Sequence, residues 1–206
     1  MKCVLVLETT LGGLGLALQR ADGQVFGRST TEPRSSSQLH PLLADLLAEA
    51  QIATQMIETL GVTVGPGSFT GARVAVAVAE AWGLAQPQCQ RVGLATLPLL
   101  AKAVLARGEP PQGFRILTDA AGGMAYGQDF AGNGTALGEA WCLPLAEAVN
   151  STVPIFVSGL PLLEGVTHLG APTPQDLLAT LADLACHLPL IPVYLKPLAY
   201  RERPER

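Results

Sequence analysis

The chain has 206 residues, 49% hydrophobic and 15% charged, which excludes a disordered chain and supplies ample apolar material for a core. A formal net charge of -4 argues against a broad phosphate-binding surface, because nucleic-acid affinity rests on clustered Lys and Arg that release counterions. Four scattered cysteines (Cys3, Cys89, Cys142, Cys186) without a CxxC pair, an opening apolar run that stops at Glu8, and no stretch of the ~18 apolar residues of a membrane span together predict a reducing, cytoplasmic setting with no membrane contact.

Cys3 to Leu7 is a continuous apolar run, which predicts a strand covered on both faces with Glu8 at its tip. Gly12-Gly13 turns into a second strand, Leu14 to Leu18, and Asp22-Gly23 into a third, Gln24 to Arg28. Ser35-Ser36-Ser37 offers helix caps. From Gln38, the apolar Leu39, Leu42, Leu43, Leu46, Leu47 and Ala50 fall on one helical stripe, with Pro41 tolerated in the first turn. A strand from Leu60 to Val64 leads into the loop Gly65-Pro66-Gly67-Ser68-Phe69-Thr70-Gly71 and a helix from about Ala72 to Ala85. That helix is built of Ala and Val, with Arg73 and Glu80 its only charges, so burial nearly all round is expected.

A strand near Arg91 to Leu94 and a helix near Leu97 to Arg107 come next. Glu109-Pro110-Pro111-Gln112-Gly113 has linker composition and sets the expected boundary between a lobe over 1–108 and a smaller one over 109–206. Beyond it the opening pattern returns: a strand, Phe114 to Asp119, ending in an acid, then Gly122-Gly123, then a returning strand, Met124 to Phe130. A strand at Pro154 to Val157, a helix from Pro174 or Gln175 to His187, and the tail Pro192-Val193-Tyr194-Leu195-Lys196-Pro197 complete the chain.

Few of these residues suggest chemistry. The Gly65 to Gly71 loop joins strand to helix, where free N–H groups and the helix dipole favour an anion and Ser68 or Thr70 serves as cap. It lacks the P-loop lysine, however, and the dinucleotide-binding spacing, so a tight turn with a cap is the plainer account. Glu8 and Asp119 stand at strand tips, where metal or phosphate chemistry often sits, yet no third ligand accompanies them. His40, His168 and His187 make no HxxxH or HExxH pair, so no metal ligands are assigned, and Ser68 lacks a GxSxG elbow, so no catalytic residue is assigned. The Leu39 to Leu47 stripe and the Ala72 to Ala85 helix carry more apolar surface than one small lobe readily covers. Core packing and a helix–helix interface with another chain both remain open.

Gly65-Pro66-Gly67-Ser68-Phe69-Thr70-Gly71-Ala72-Arg73 resembles the signature VGPGSFTGLR of the bacterial TsaB (YeaZ) family, with Ala72 in place of Leu. Glu8-Thr9-Thr10 looks like that family's IDTS start, Ser37-Gln38-Leu39-His40-Pro41-Leu42-Leu43 like its HSQxLLP helix, and Pro192-Val193-Tyr194-Leu195-Lys196 like its PxYLR ending. The second lobe departs: Asp119-Ala120-Ala121-Gly122-Gly123-Met124-Ala125-Tyr126 stands where the family has a DARRGEVY-like strand. The resemblance implies two RNase H-like lobes in an actin-like or Hsp70-like α/β (ASKHA) ATPase fold that is degenerate as an ATPase. It also implies a non-catalytic subunit that pairs with TsaD, joined by TsaE, to make threonylcarbamoyladenosine beside the anticodon of tRNA. Docking would run through the first two helices, with Leu39, Leu42, Leu43, Leu46, Leu47, Val74, Val78 and Trp82 at the interface. A homodimer is expected in isolation, tRNA is met only through the complex, and no cofactor is bound by this chain alone, ATP or ADP entering only at the level of the complex. The rival readings are a metallopeptidase-like (glycoprotease) enzyme and an ATP-dependent enzyme of the same fold.

Overall fold

The computed structural model describes residues 3–31, 35–108 and 112–196, and places them in two mixed sheets with helices around and between them. In the first, β1 (Cys3–Glu8) is flanked on one side by an antiparallel meander, β2 (Leu14–Gln19) and β3 (Val25–Thr30). On the other side run β4 (Ile57–Gly65) and β5 (Gln90–Ala95), parallel to it. In the second, β6 (Phe114–Asp119) is flanked by antiparallel β7 (Met124–Phe130) and β8 (Trp141–Pro144), and by parallel β9 (Ile155–Ser158) and β10 (Thr167–His168). The orders β5-β4-β1-β2-β3 and β10-β9-β6-β7-β8 are the same, so the echo in the sequence is a repeat of topology. A late strand, β11 (His187–Leu188), pairs antiparallel with β5 and extends the first sheet to six strands.

Side-chain alternation decides which helix covers which face. Leu5 and Leu7 of β1, with Leu16, Leu60 and Val62, form the face under α1 (Leu39–Ala50) and α2 (Phe69–Ala85). Val6, Ala17, Val92 and Leu94 form the other, under α3 (Thr96–Leu105) and a later helix beginning at Pro174. The opposite flank of α3 supplies Leu97, Leu100 and Val104 to the second sheet. There they meet Phe114, whose ring stacks on Phe130 at 5.5 Å and meets Phe156 edge-on at 5.8 Å. The far face of that sheet is closed by Trp141 and by a single turn, α4 (Leu145–Ala148).

Several expectations are corrected. The helix buried almost all round is α3, which lies between the sheets; on α2 only Gly71, Ala72, Ala75 and Ala79 are buried, because that helix covers one face of one sheet. Ser35–Gln38 forms a 3-10 turn, and α1 starts at Leu39 without a side-chain cap. The late helix, α5 (Pro174–Ala182), opens with a capping box between Thr173 and Asp176 and ends five residues before His187. There Asp183 turns extended, accepts from the Ala185 N–H at 3.0 Å and meets Lys102 at 2.5 Å. Glu109, Pro110, Pro111 and Pro197 lie outside the described residues. A single cut at 109 does not separate the sheets, since α5 packs on β1 and β2 and β11 pairs with β5, all in the first sheet. Among the described residues no helix is long and apolar enough to cross a membrane.

Candidate functional site

The loop after β4 is shaped by its contacts with the turn that follows β1. Gly65 sits at φ +111, a backbone state that L side chains rarely adopt, and its peptide bond to Pro66 is cis. The Ser68 N–H donates to the Thr10 carbonyl at 2.7 Å, while the Ser68 hydroxyl accepts from the Gly71 N–H at 3.1 Å and caps α2. The Thr9 hydroxyl donates to the Gly71 carbonyl at 2.7 Å. A Cβ on Gly67 would lie 2.5 Å from the Thr10 carbonyl oxygen, and one on Gly71 would lie 1.8 Å from that of Thr9. The glycines therefore exist for backbone-to-backbone contact. The helix starts at Phe69, three residues earlier than the sequence reading, and Thr70 lies exposed in its first turn. Arg73 lies over the Phe69 ring at 4.2 Å and donates through Nε to the Tyr194 hydroxyl at 3.2 Å, and the Phe69 and Tyr194 rings stand 4.9 Å apart.

The strand-tip acids have different surroundings. Glu8 is buried, and its Oε1 accepts from the Thr10 N–H (2.5 Å), the Thr10 hydroxyl (2.7 Å), the Leu11 N–H (3.1 Å) and the Thr63 hydroxyl (3.3 Å). Burial raises its pKa, outweighing the lowering effect of those donors. Asp119 is exposed, and its Oδ1 accepts from the Ala121 N–H at 2.9 Å, the same bond to the residue two positions on. Both acids are thus turn acceptors, which is what makes the two hairpins alike. Between the lobes lies a cleft of about 610 Å³ with Thr10, Gly67, Ser68 and Phe69 on one wall and Thr118, Asp119 and Tyr126 on the other. Glu8 instead borders a neighbouring cavity of about 380 Å³. The histidines are apart: His40 is exposed, His168 Nε2 accepts from the Leu163 N–H at 3.4 Å, and His187 Nε2 donates to the Leu181 carbonyl at 2.7 Å.

The expected interface residues divide into two sets. Leu39, Leu43 and Leu46 are buried against the lobe's own sheet, so they are core and not docking surface. Leu42, Leu47, Val74, Val78 and Trp82 are half-buried at the margin of that core. Phe69, expected only as part of the signature loop, is exposed, and the open positions Ala77, Ala81 and Leu84, the last 86% exposed, are absent from the expected interface. The signal was present in the small-residue row Gly71, Ala75 and Ala79, spaced by four, which marks the side pressed on β4 and so leaves Ala77, Ala81 and Leu84 outward.

Residues 29–157 match the family model described as "TsaD: tRNA N6-adenosine threonylcarbamoyltransferase", well over half of the chain. A Bacillus subtilis protein named "tRNA threonylcarbamoyladenosine biosynthesis protein TsaB" is 33% identical over 97 residues, 46% of this chain and 42% of that protein. An uncharacterized Mycoplasma genitalium protein, MG208, is 38% identical over 55 residues, 27% of this chain and 28% of its own length. The chain spans less than half the length of the curated relatives it matches. The solved structure of YeaZ from Pseudomonas aeruginosa superposes with a TM-score of 0.74 at 22% identity, covering 95% of this chain and all of that one. That likeness shows a shared fold, the α/β architecture of two repeated mixed sheets.

Proposed function

Because the chain belongs to the TsaD family, on its TsaB/YeaZ side, we propose that it is a non-catalytic subunit of the machinery that makes threonylcarbamoyladenosine in tRNA. Its task is to bind and support a TsaD-type partner, with TsaE joining the assembly in the cytoplasm. The observation that carries this reading is the state of α2. One side of the helix is spent on the sheet, while Ala77, Ala81 and Leu84 face outward and Val74, Val78 and Trp82 are only half-covered, flanked on the same sheet face by Leu42 and Leu47 of α1. Small residues on such a face allow a second helix to approach closely, and covering the half-buried aliphatic side chains supplies the apolar contribution to association.

The rest of the site supports the same reading. Glu8, the acid in the place where chemistry would be sought, is committed through Oε1 to four donors of its own chain, which makes it a structural acceptor. Nucleotide then belongs to the complex and not to this chain alone, and tRNA is reached through the partner. The test is co-expression with the cognate TsaD-type protein. Val78→Asp on the half-covered face should abolish co-purification and lower tRNA threonylcarbamoyladenosine while the isolated chain keeps its fold. Leu43→Asp, placed in the core, should instead unfold the lobe. Intact pairing of folded Val78→Asp, or turnover of ATP or a peptide by the chain unaided, overturns the proposal. In the absence of partner the same face should give a homodimer that Val78→Asp converts to monomer.

A further inference from the structure

The final described residues are a part of the sequence that the docking reading leaves without a task, and they touch both lobes in succession. After β11 the chain runs to the end of β4, where the Val193 N–H donates to the Val64 carbonyl at 2.8 Å and Val193 packs on the first-lobe core. One residue on, Tyr194 lies against the first turn of α2, ring to ring with Phe69 and hydroxyl to Arg73 Nε. Two residues further, the Lys196 ammonium donates to the Ala120 carbonyl at 3.0 Å and the Ala121 carbonyl at 2.8 Å, both in the turn between β6 and β7 of the second lobe. Tyr194 and Lys196 both line the interlobe cleft.

The receiving turn is one that a further donor stabilises. Ala121, Gly122 and Gly123 adopt φ of 56, 64 and 74, three successive left-handed residues of which the first is not glycine, so the turn holds a conformation that an isolated chain disfavours. Its own closing bonds are long, Ala120 N–H to the Met124 carbonyl at 3.1 Å and Met124 N–H to the Ala121 carbonyl at 3.4 Å, with the Asp119 carboxylate on the Ala121 N–H and the Leu145 N–H on the Gly123 carbonyl, both at 2.9 Å, as further supports. Two charge-assisted bonds from one ammonium add to these and tie the turn to the segment after β11. Because those acceptors are neutral carbonyls near solvent and not a buried carboxylate, the attachment is releasable.

We propose that Val193–Lys196 is a clasp across the mouth of the interlobe cleft, anchored on the first lobe by Val193 and Tyr194 and fastened to the second by Lys196, and that it sets how far the cleft opens. Two readouts on the full chain test it. Tyr126 lines the cleft and is 8% exposed, so its nitration by tetranitromethane, mapped by peptide analysis, reports opening. Residue-resolved hydrogen exchange at Val193 reports the first-lobe anchor, and at Ala121 and Met124 the fastening point, with the core amides of Leu5 and Ile116 as controls. Lys196→Met should speed Tyr126 nitration at least fivefold and raise exchange tenfold or more at Ala121, Met124 and Val193 together. Lys196→Arg should restore both to within threefold of the parent, and Tyr194→Ala, which cuts the clasp in the middle, should reproduce the Lys196→Met pattern. Unchanged Tyr126 nitration in Lys196→Met, or a change at Ala121 and Met124 without one at Val193, overturns the proposal by reducing Lys196 to a local contact. Control amides rising in step in both variants overturn it as well, since the segment would then be part of the global core.

Discussion

Replacing the carboxyl of Glu8 separates its two roles, acceptor and charge. In Glu8→Ala the Thr10 and Leu11 N–H groups lose their acceptor inside the protein, whereas the Thr10 hydroxyl keeps its 2.8 Å contact with Thr96 Oγ1 and can turn to it. Two orphaned backbone donors at about 1–3 kcal/mol each put the loss at about 2–6 kcal/mol. Glu8→Gln keeps Oε1 for all four donors and replaces the ionisable O–H with an amide NH2 of similar size, so it should stay within about 1 kcal/mol of the parent at acid pH. The pH dependence gives the sign. Burial raises the Glu8 pKa above the ordinary 4.5, so the folded state holds its proton more tightly than the unfolded chain does. Its contribution is fully present below the unfolded value, declines as pH rises through the raised folded value, and is level above it. Urea denaturation of both proteins across pH 4 to 9 should therefore show the parent falling relative to Glu8→Gln as pH rises. A difference curve that is flat or rises with pH, or a Glu8→Gln protein as damaged as Glu8→Ala, would refute the assignment of Glu8 as a structural acceptor that holds its proton more tightly in the folded state.

Gly71→Ala forces a Cβ to 1.8 Å from the Thr9 carbonyl oxygen and should cost about 3 kcal/mol or more, while Gly123→Ala, at φ +74 but with open space around it, should cost only about 1 kcal/mol; paired chemical denaturation distinguishes them. Thr173→Ala removes the capping box of α5 and should lower stability by about 1 kcal/mol, read as a lower urea midpoint at unchanged slope. Lys102 lowers the pKa of Asp183 below 3.8, so that contribution is present above the unfolded value and is lost as pH falls through the lowered one. With both side chains about a third exposed, solvent screening keeps it under about 1 kcal/mol, and Asp183→Asn should remove that small acid-side dependence in thermal melts.

Local pattern recovered the elements whose boundaries are written in neighbouring residues. Phe114–Asp119 and Met124–Phe130 were legible at their observed ends because a linker precedes the first and Gly122-Gly123 separates the two. The repeat of topology was legible through the same turn, although the bond from each strand-tip acid to an N–H two residues on could only be seen in three dimensions. What failed were boundaries decided by tertiary contact. The pattern of apolar residues runs on past Ala182, but Asp183 leaves the helix to meet Lys102 on α3, a residue 81 positions away. Likewise, a two-residue strand such as His187–Leu188 exists only because the β5 edge offers it partners.

The exchange of roles between α2 and α3 shows why apolar composition could identify an unusual helix yet misplace its burial. A helix covered by two sheets must reach in two directions, and the leucines of α3 do so: Leu99 goes to the first sheet and Leu97 and Leu100 to the second. Ala and Gly cannot span that gap, so the small-residue content of α2, taken at first as a mark of burial on every side, is better suited to close approach on one side, where Ala75 and Ala79 bring the backbone down onto β4. Among the described residues, its outward Ala77, Ala81 and Leu84 then have no further layer over them. For the signature loop the same logic runs in reverse. Its glycines read as a tight turn with a cap more plainly than as an anion site, and Gly67 and Gly71 are filled by the backbone of Thr10 and Thr9, which ties the start of α2 to the tip of β1. The loop is therefore specific because it sets the angle at which an uncovered helix leaves the sheet, and a docking surface depends on that angle as much as on the residues it displays.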